Sequence, residues 1–139
     1  MQQYVAGLLF DDNASRVALV LKNRPAWQAG HFNAIGGKIE PDEGPSDAMT
    51  REFVEEAGVE LEWTFQFVLG RADVYEVYFF AAWNTEALEL VTTVEDEPIY
   101  ILDPLNLPEN TIFNIRWITP LIMDQTVATP EYFKDVSGN

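Results

Sequence analysis

The chain contains no cysteine, a single histidine and few cations. Its 139 residues include 8 Lys or Arg against 23 Asp or Glu, which gives a formal charge of -15 at pH 7. The absence of cysteine excludes thiolate nucleophiles, disulfides and Cys-ligated zinc. The lone histidine, His31, lies beside a glycine in a predicted loop. An exposed side chain is a more ordinary role than catalysis at such a position.

The shortage of cations also argues against polyanionic partners. Duplex nucleic acid and anionic membranes are bound through clustered Lys and Arg, and only 8 such residues are present. No segment approaches the roughly 18 apolar residues of a membrane span, and the first residues lack a cationic stretch followed by a long apolar run. We therefore expect a cytoplasmic protein that binds neither nucleic acid nor membrane.

The composition is that of one small folded unit. Hydrophobic residues make up 47% of the chain and aromatic residues 13%, which is enough to bury one core. At 139 residues the chain is too short for two ordinary domains. We predict a single domain over residues 1–139, present as a monomer or a homodimer.

Runs of β-branched and aromatic residues predict several strands. Residues 3–10 and 16–22 are β-rich, and the polar turn cluster between them suggests a hairpin. Further strands are predicted over Phe65–Val68, Tyr75–Trp83 and Ile99–Leu102. From the residues alone, this order of elements gives an α/β or α+β fold.

Two helices are predicted from periodicity and from their end signals. Pro45 favours a helix start and Gly58 a helix stop, which places the first helix over residues 46–57. A last helix is predicted to start near Asn114, although Pro120 argues that it kinks or begins after an irregular turn. Its inward-facing residues are predicted to be Ile115, Ile118, Leu121 and Ile122.

The first predicted helix carries three closely spaced carboxylates. Glu52, Glu55 and Glu56 are three and four residues apart, so a helix stacks them on one face. Their mutual repulsion costs a few tenths of a kcal/mol per pair on a solvated helix, and a hard divalent cation turns that cost into binding. The alternative is a solvated acidic face. The adjoining apolar stripe consists of Met49, Phe53 and Ala57.

The segment from Gly37 to Val59 resembles the Nudix box of the Nudix hydrolase superfamily. It matches at every position where the box demands one residue type: Gly37, Glu43, Arg51, Glu52, Glu55, Glu56 and Gly58. Phe53 is a mild departure, because the family usually has Ile, Leu or Val there. The resemblance implies a Nudix α/β/α sandwich with a mixed β-sheet between helices, and it makes residues 1–139 a Nudix hydrolase domain.

The resemblance also implies a metal site. In the family, the corresponding carboxylates and a glycine carbonyl hold Mg²⁺, with Mn²⁺ as a substitute. Carried over, these ligands are Glu52, Glu55, Glu56 and the carbonyl of Gly36. The scaffold positions of the box are Gly37, Glu43, Arg51 and Gly58. Arg51 is expected to point away from the glutamate face and to pair with Glu43, whereas the paired glycines either allow close backbone approach or form a turn with positive φ.

Many family members add one more carboxylate from a distant loop, as a metal ligand or as the base that deprotonates water. The acidic segment Val94–Pro98 supplies the candidates here. Glu97 is predicted to be both a catalytic residue and a metal ligand, and Glu95 is the second candidate for the same role. Ordinary solvated loop acids are the alternative reading of both.

The substrate is inferred from a weaker resemblance to the MutT-like branch, which cleans oxidised purine nucleotides. The run from His31 to Lys38 is similar to its Trp-Asn-Gly-Phe-Gly-Gly-Lys motif. Asn33 and Asn114 fall where that branch reads the base, Trp27 where an aromatic lines the pocket, and Lys38 is expected to reach the phosphates. The structural alternatives are that Trp27 is a core residue, that Asn33 is a turn residue and that Asn114 is a helix N-cap.

The chemistry implied is that of a Mg²⁺-dependent pyrophosphohydrolase. A canonical or oxidised purine nucleoside triphosphate is cleaved to the monophosphate and pyrophosphate, so the expected partner is a small nucleotide. Hydrolysis of a dinucleoside polyphosphate or of ADP-ribose stays open, because Tyr75 lies near where dinucleoside polyphosphate hydrolases keep a tyrosine. A nucleotide-sensing domain without catalysis is the further alternative.

Overall fold

In the computed structural model, which describes residues 1–137, eight strands form one mixed sheet. The strands are β1 Gln2–Phe10, β2 Val17–Leu21, β3 Phe32–Asn33, β4 Ile35–Lys38, β5 Thr64–Arg71, β6 Tyr75–Trp83, β7 Ile99–Leu102 and β8 Tyr132–Lys134. The helices are α1 Pro45–Ala57, α2 Thr85–Leu90 and α3 Phe113–Met123. None of the helices within these described residues is long and apolar enough to cross a membrane.

Strand β1 is the centre of the sheet. The strand order is β3-β2-β1-β6-β5-β8, with β4 also paired to β1 and β7 to β2. Strand β1 runs parallel to β6 and antiparallel to β2 and β4. Strands β2 and β4 pair with different halves of β1, and Val5 lies opposite Gly37. This pairing brings β4, and the loop that follows it, beneath helix α1.

Alternating residues of β1 supply two cores, one on each face of the sheet. Val5 and Leu9 pack with the apolar residues of α1 and α2, whereas Leu8 and Phe10 pack with those of α3. Successive side chains of a strand point to opposite faces, so both faces are apolar and both need a cover. Helices α1 and α2 cover one face and α3 the other. The predicted α/β/α sandwich is therefore confirmed.

The strands predicted from periodicity are present, and β5 is longer than predicted. Three short strands, β3, β4 and β8, and helix α2 were not predicted. Helix α2 has only six residues and is capped by the side chain of Asn84, which accepts a hydrogen bond from the Ala87 N–H. Elements this short carry too few residues for a periodic pattern to emerge.

Helix α3 confirms one prediction and corrects another. It begins at Phe113, next to Asn114 as predicted, and it contains Pro120 in its last turns. Leu121, predicted to face inward, is only partly buried, and Thr119 is fully buried in its place. Proline near the helix end removes a hydrogen bond where the helix is about to stop, which happens at Met123.

Gly36 provides a test of how closely β4 packs on β1. A β-carbon built on Gly36 would overlap the carbonyl oxygen of Val5. We predict that Gly36→Ala lowers the free energy of unfolding by at least about 2 kcal/mol, because the strands must separate to admit the methyl group. Urea denaturation followed by circular dichroism measures this change.

The matched control is Gly44→Ala, at the start of helix α1. A β-carbon there would meet no atom within 4 Å, and the residue has an ordinary φ of -81°. Its effect should stay within about 0.5 kcal/mol. Equal stability of the two variants would contradict the close approach of β4 to β1.

Candidate active site on helix α1

Helix α1 is docked so that its carboxylates lie beside β4. It starts after Gly44 with Pro45 in the first turn, and it ends at Gly58, whose φ of 76° suits glycine. The predicted apolar stripe faces the sheet, since Met49, Phe53 and Ala57 are fully buried. The glutamates follow on the neighbouring face of the same helix.

Gly37 is a glycine because Glu52 lies directly over it. A β-carbon at Gly37 would lie 2.5 Å from the carboxyl carbon of Glu52. Gly36 and Gly37 belong to strand β4, and the described glycines with positive φ are Gly30 and Gly58. The alternative of a turn with positive φ is therefore wrong for this pair. The missing side chain instead lets the Glu52 carboxylate approach the backbone.

The guanidinium of Arg51 binds the scaffold glutamate of the box with both arms. Its Nε donates to Glu43 Oε2 at 2.7 Å and its Nη2 to Glu43 Oε1 at 2.9 Å. The hydrogen bonds from Arg51, and then the one from the Glu40 N–H, lower the pKa of Glu43 to about 2. Burial opposes this shift but does not overcome it. Glu43 is thus ionised and committed to the scaffold.

Arg51 does not point away from the glutamate face, so that part of the prediction is wrong. Its Nη1 donates to Glu52 Oε1 at 2.9 Å and lies 3.3 Å from Glu55 Oε2. Its Nη2 also donates to the Lys38 carbonyl at 3.0 Å. The long flexible stem of arginine lets one guanidinium reach both sides of the helix position that carries it. Arg51 therefore organises the carboxylates as well as the loop.

Glu56 is a buried carboxyl with an unsatisfied oxygen. The residue is 8% exposed, and its Oε2 has no hydrogen-bond partner among the described residues. Burial, followed by the charge of Glu52, raises the pKa of Glu56 to about 8, and Lys22 only partly offsets this. Burial also raises the pKa of Glu52, against the effect of Arg51. A buried charge is tolerated when an opposite charge accompanies it, and the protein supplies none directly to this oxygen.

These features fit a divalent cation. The orphaned Glu56 oxygen lies near Glu52, and the carboxyl of Glu52 rests in the space left open at Gly37. Oxygen donors of this kind suit Mg²⁺ or Mn²⁺. Within residues 1–137, however, no group of three or more acidic or histidine side chains already converges as a metal site. Arg51 accounts for part of this, because it holds oxygens of Glu52 and Glu55.

Both carboxylate oxygens of Glu97 are engaged by groups that follow strand β2. Its Oε1 accepts from Lys22 Nζ at 2.8 Å, and its Oε2 accepts from the backbone N–H groups of Asn23 at 2.7 Å and Arg24 at 3.3 Å. Burial raises the pKa of Glu97, but the hydrogen bonds from Lys22 and the backbone outweigh it and the net shift is downward. The structure thus uses both oxygens of Glu97 to hold residues 22–24.

Glu95 acts on the box through its charge. Its charge is one of those that raise the pKa of Glu56, together with that of Glu52. It is exposed, and in the described chain its carboxylate accepts no hydrogen bond. The loop that carries it is fastened to the end of α1, where the Val94 N–H donates to the Glu56 carbonyl at 3.1 Å. Of the two loop candidates, Glu95 has free oxygens.

The four predicted nucleotide-binding residues lie in different parts of the fold. Trp27 is 69% exposed, so the core alternative is wrong. Asn33 lies in β3, where its amide donates to Gln28 Oε1 at 3.0 Å and its Oδ1 accepts from the Ala34 N–H at 2.8 Å. Asn114 does not cap α3, since the cap position is Ile112. Lys38 is exposed at the end of β4.

Asn114 has an unsatisfied group of its own. Its Oδ1 is buried without a hydrogen-bond partner in residues 1–137, as is the Oγ1 of Thr111 in the segment just before α3. Thr111 pairs with Phe32, the residue before Asn33. The strand and the helix start are therefore adjacent, as a shared binding site requires.

Two features of the chain lie elsewhere. The hydroxyl of Tyr75 donates to Asp135 Oδ2, and burial together with this bond raises the pKa of Tyr75 to about 12. Tyr75 thus fastens the C-terminal segment beside the β5–β6 turn. A groove of about 640 Å³ near α2 is lined by residues such as Glu60, Trp83 and Glu86 and by none of the box glutamates. We do not assign it to the reaction.

Comparison with known families agrees with the fold and with the box. A family model described as the NUDIX domain matches residues 1–132. The match extends over nearly the whole chain, well beyond the helix that carries the glutamates. The chain therefore belongs to the Nudix family.

Solved structures share this fold at low sequence identity. The MutT Nudix hydrolase from Burkholderia pseudomallei has a TM-score of 0.70 and 21% identity, covering 86% of this chain and 95% of its own. The MutT protein from Methanosarcina mazei has a TM-score of 0.71 and 16% identity, covering 90% and 94%. At such identities the likeness establishes the fold alone.

One curated relative matches over a shorter stretch. Over 44 residues, the chain is 48% identical to a protein of Escherichia coli (strain K12) named CTP pyrophosphohydrolase. This stretch is 30% of the chain and 33% of that protein. The chain thus matches about a third of the length of this relative.

The raised pKa of Glu56 generates a test on the metal-free protein. Glu56 titrates near 8 in the folded chain and near 4.5 when unfolded, so between these values only the folded state keeps the proton. Raising the pH from 5 to 9 should therefore lower the stability by about 4 kcal/mol. Glu56→Gln should remove this loss and should be the more stable protein at pH 9. Urea denaturation in EDTA at each pH measures both.

Glu109→Gln, at an exposed position, is the matched control and should follow the wild-type curve. Parallel curves for wild type and Glu56→Gln would mean that Glu56 titrates normally.

Proposed function

We propose that the protein is a Mg²⁺-dependent pyrophosphohydrolase that cleaves a nucleoside triphosphate to the monophosphate and pyrophosphate. The observation that carries this proposal is the buried, unpaired oxygen of Glu56 on a helix that also presents Glu52 and Glu55. A solvated acidic face would not bury a carboxyl in this way. The family to which the chain belongs supports the same reading.

The residues that would hold the cation are Glu52, Glu55, Glu56 and the carbonyl of Gly36. Glu52 lies against Gly37 and Glu56 is adjacent to it, while Glu55 is more exposed. Mg²⁺ bound there, or Mn²⁺ in its place, would neutralise charge on the attacked phosphoryl group and lower the pKa of water. Oxygens of Glu52 and Glu55 would have to leave Arg51 to reach the cation, whereas the two bonds of Arg51 to Glu43 would not be involved.

The loop carboxylate completes the reaction. Glu95 accepts a proton from water while the water oxygen bonds to phosphorus. The phosphoanhydride P–O bond breaks, and the nucleoside monophosphate and pyrophosphate leave. Glu95 is preferred to Glu97 for this role because the oxygens of Glu97 already accept from Lys22 and from two backbone N–H groups.

The nucleoside would lie between the loop of Trp27 and the start of α3. The exposed ring of Trp27 offers a stacking surface, and the unpaired Oδ1 of Asn114 offers an acceptor to a base edge. Asn33 can join by exchanging its bond to Gln28, and Lys38 can reach the phosphates from the end of β4. A purine triphosphate is the first candidate. The name of the curated relative adds CTP as the second.

The decisive experiment is pyrophosphate release from a nucleotide panel with Mg²⁺. The panel contains dGTP, 8-oxo-dGTP, dATP, CTP, diadenosine tetraphosphate and ADP-ribose. We expect Glu56→Gln to lower kcat at least 1,000-fold, on the scale of losing a group that acts in the transition state, and Glu109→Gln to leave it unchanged. Wild-type protein should also gain thermal stability from Mg²⁺, and Glu56→Gln should gain less.

The other outcomes assign the alternatives. Preference for diadenosine tetraphosphate or ADP-ribose would keep the chemistry and replace the substrate. Binding of a nucleotide without any product over long incubation would identify a sensing domain and overturn the enzymatic proposal. Full activity of Glu56→Gln would overturn the assignment of the site.

A second comparison separates the two loop acids. We predict that Glu95→Gln lowers kcat about 100-fold with little change in KM, the range expected for loss of a general base. Glu97→Gln should have a smaller effect, about tenfold, because it loosens the loop without removing the proton acceptor. Steady-state kinetics on the preferred substrate measure both. A larger loss in Glu97→Gln would return the role to Glu97.

A further inference from the structure

We propose that Lys22 is a positioning residue, which holds the loop of residues 92–98 so that Glu95 stands beside Glu56. The proposal rests on the function proposed above and extends it to a residue outside the box. Its basis is a set of contacts that fasten the loop at two ends and leave Glu95 between them.

The first end of the loop is fixed to the box helix. The Thr92 N–H donates to the Ala57 carbonyl, and the Val94 N–H donates to the Glu56 carbonyl, each at 3.1 Å. These carbonyls belong to the last turn of α1, which has no partner within the helix for them. The loop therefore satisfies the end of the helix, and Glu95 follows directly after the second of these contacts.

The second end is fixed to the end of strand β2. The Leu21 N–H donates to the Pro98 carbonyl at 2.8 Å. Lys22 and the N–H groups of Asn23 and Arg24 then surround the Glu97 carboxylate. Arg24 adds a two-armed contact to Asp96, at 2.9 and 3.1 Å. The two residues that follow Glu95 are thus both held by the segment of residues 22–24.

The Lys22 pair is the stronger of the two side-chain contacts. Side-chain exposures are 19% and 8% for Lys22 and Glu97, but 64% and 61% for Arg24 and Asp96. An exposed pair contributes little, whereas removal of one partner from a buried pair leaves an uncompensated charge. Loss of Lys22 should therefore release the loop, and loss of Arg24 should only loosen it.

Lys22 is thus an anchor of the loop, whereas Glu95 is a carboxylate that the described contacts leave free of hydrogen bonds. The Nζ of Lys22 is bound to Glu97 at 2.8 Å, which directs it to the loop rather than to a substrate phosphate.

A double-mutant cycle tests the proposal. We expect Lys22→Met to lower kcat at least tenfold with little change in KM, and Lys22→Arg to restore most of it. If Lys22 acts through Glu95, then the double variant Lys22→Met/Glu95→Gln should fall no more than about twofold below Glu95→Gln alone, since residues that act as a unit are not additive. Independent losses that multiply would overturn the proposal.

Two further variants separate positioning from other effects. Arg16→Met is the matched control, because Arg16 pairs with the buried Asp11 at 3.1 Å at the opposite end of β2. It should leave kcat unchanged. Arg24→Gln, at an exposed pair, should fold normally and lower kcat about two- to fivefold. A rise in KM with unchanged kcat in Lys22→Met would place Lys22 on the substrate and overturn the proposal.

A metal titration gives a readout that does not depend on turnover. Glu95→Gln removes a negative charge from the loop beside the box, and Lys22→Met lets that charge move away, so the Kd for Mn²⁺, measured by calorimetry, should rise at least threefold in either variant and no further in the double variant. This test holds even if wild-type protein cleaves none of the nucleotides, which would overturn the proposed function alone. Unchanged Mn²⁺ affinity together with unchanged kcat in Lys22→Met would overturn the positioning role.

Discussion

The guanidinium of Arg51 joins three parts of the chain through hydrogen bonds. It binds Glu43 in the loop before α1, the Lys38 carbonyl at the end of β4, and the carboxylates of Glu52 and Glu55 on α1 itself. A planar group with five donors can satisfy all of these at once, and a lysine could not. The geometry of the box follows from this one group.

The second feature of the site is the Oε2 of Glu56, which has no hydrogen-bond partner in the part of the chain that the structure describes. Arg51 neutralises Glu43 and part of Glu52, but Glu56 lies buried behind them with a raised pKa. Folding thus concentrates carboxyl groups at one place, where Glu56 keeps its proton because the protein offers its ionised form no balancing charge. Such a group of carboxyls suits a cation-binding site, because the stability lost in forming the group is recovered when a cation binds. The acidity of the whole chain adds to the same field.

The fold sets these groups in place through glycine and through the sheet order. Strand β4 can lie against β1 because Gly36 has no side chain, and Glu52 can lie against β4 because Gly37 has none. The loop of residues 92–98 reaches the box because it connects α2, on the α1 face, to β7, which pairs with β2. One loop thereby touches the end of α1 and the end of β2, and brings Glu95 between them.

Local sequence patterns were enough to predict the box helix, its apolar stripe and the carboxylate spacing, since these depend on the 3.6-residue period and on local end signals at Pro45 and Gly58. They also predicted the main strands, whose β-branched and aromatic runs are long. They could not predict that Arg51 turns toward Glu52, that Glu97 is buried against Lys22, or that α2 exists. Those features depend on which residues, distant in the sequence, come into contact in the fold. Only tertiary packing brings residues 22 and 97 together.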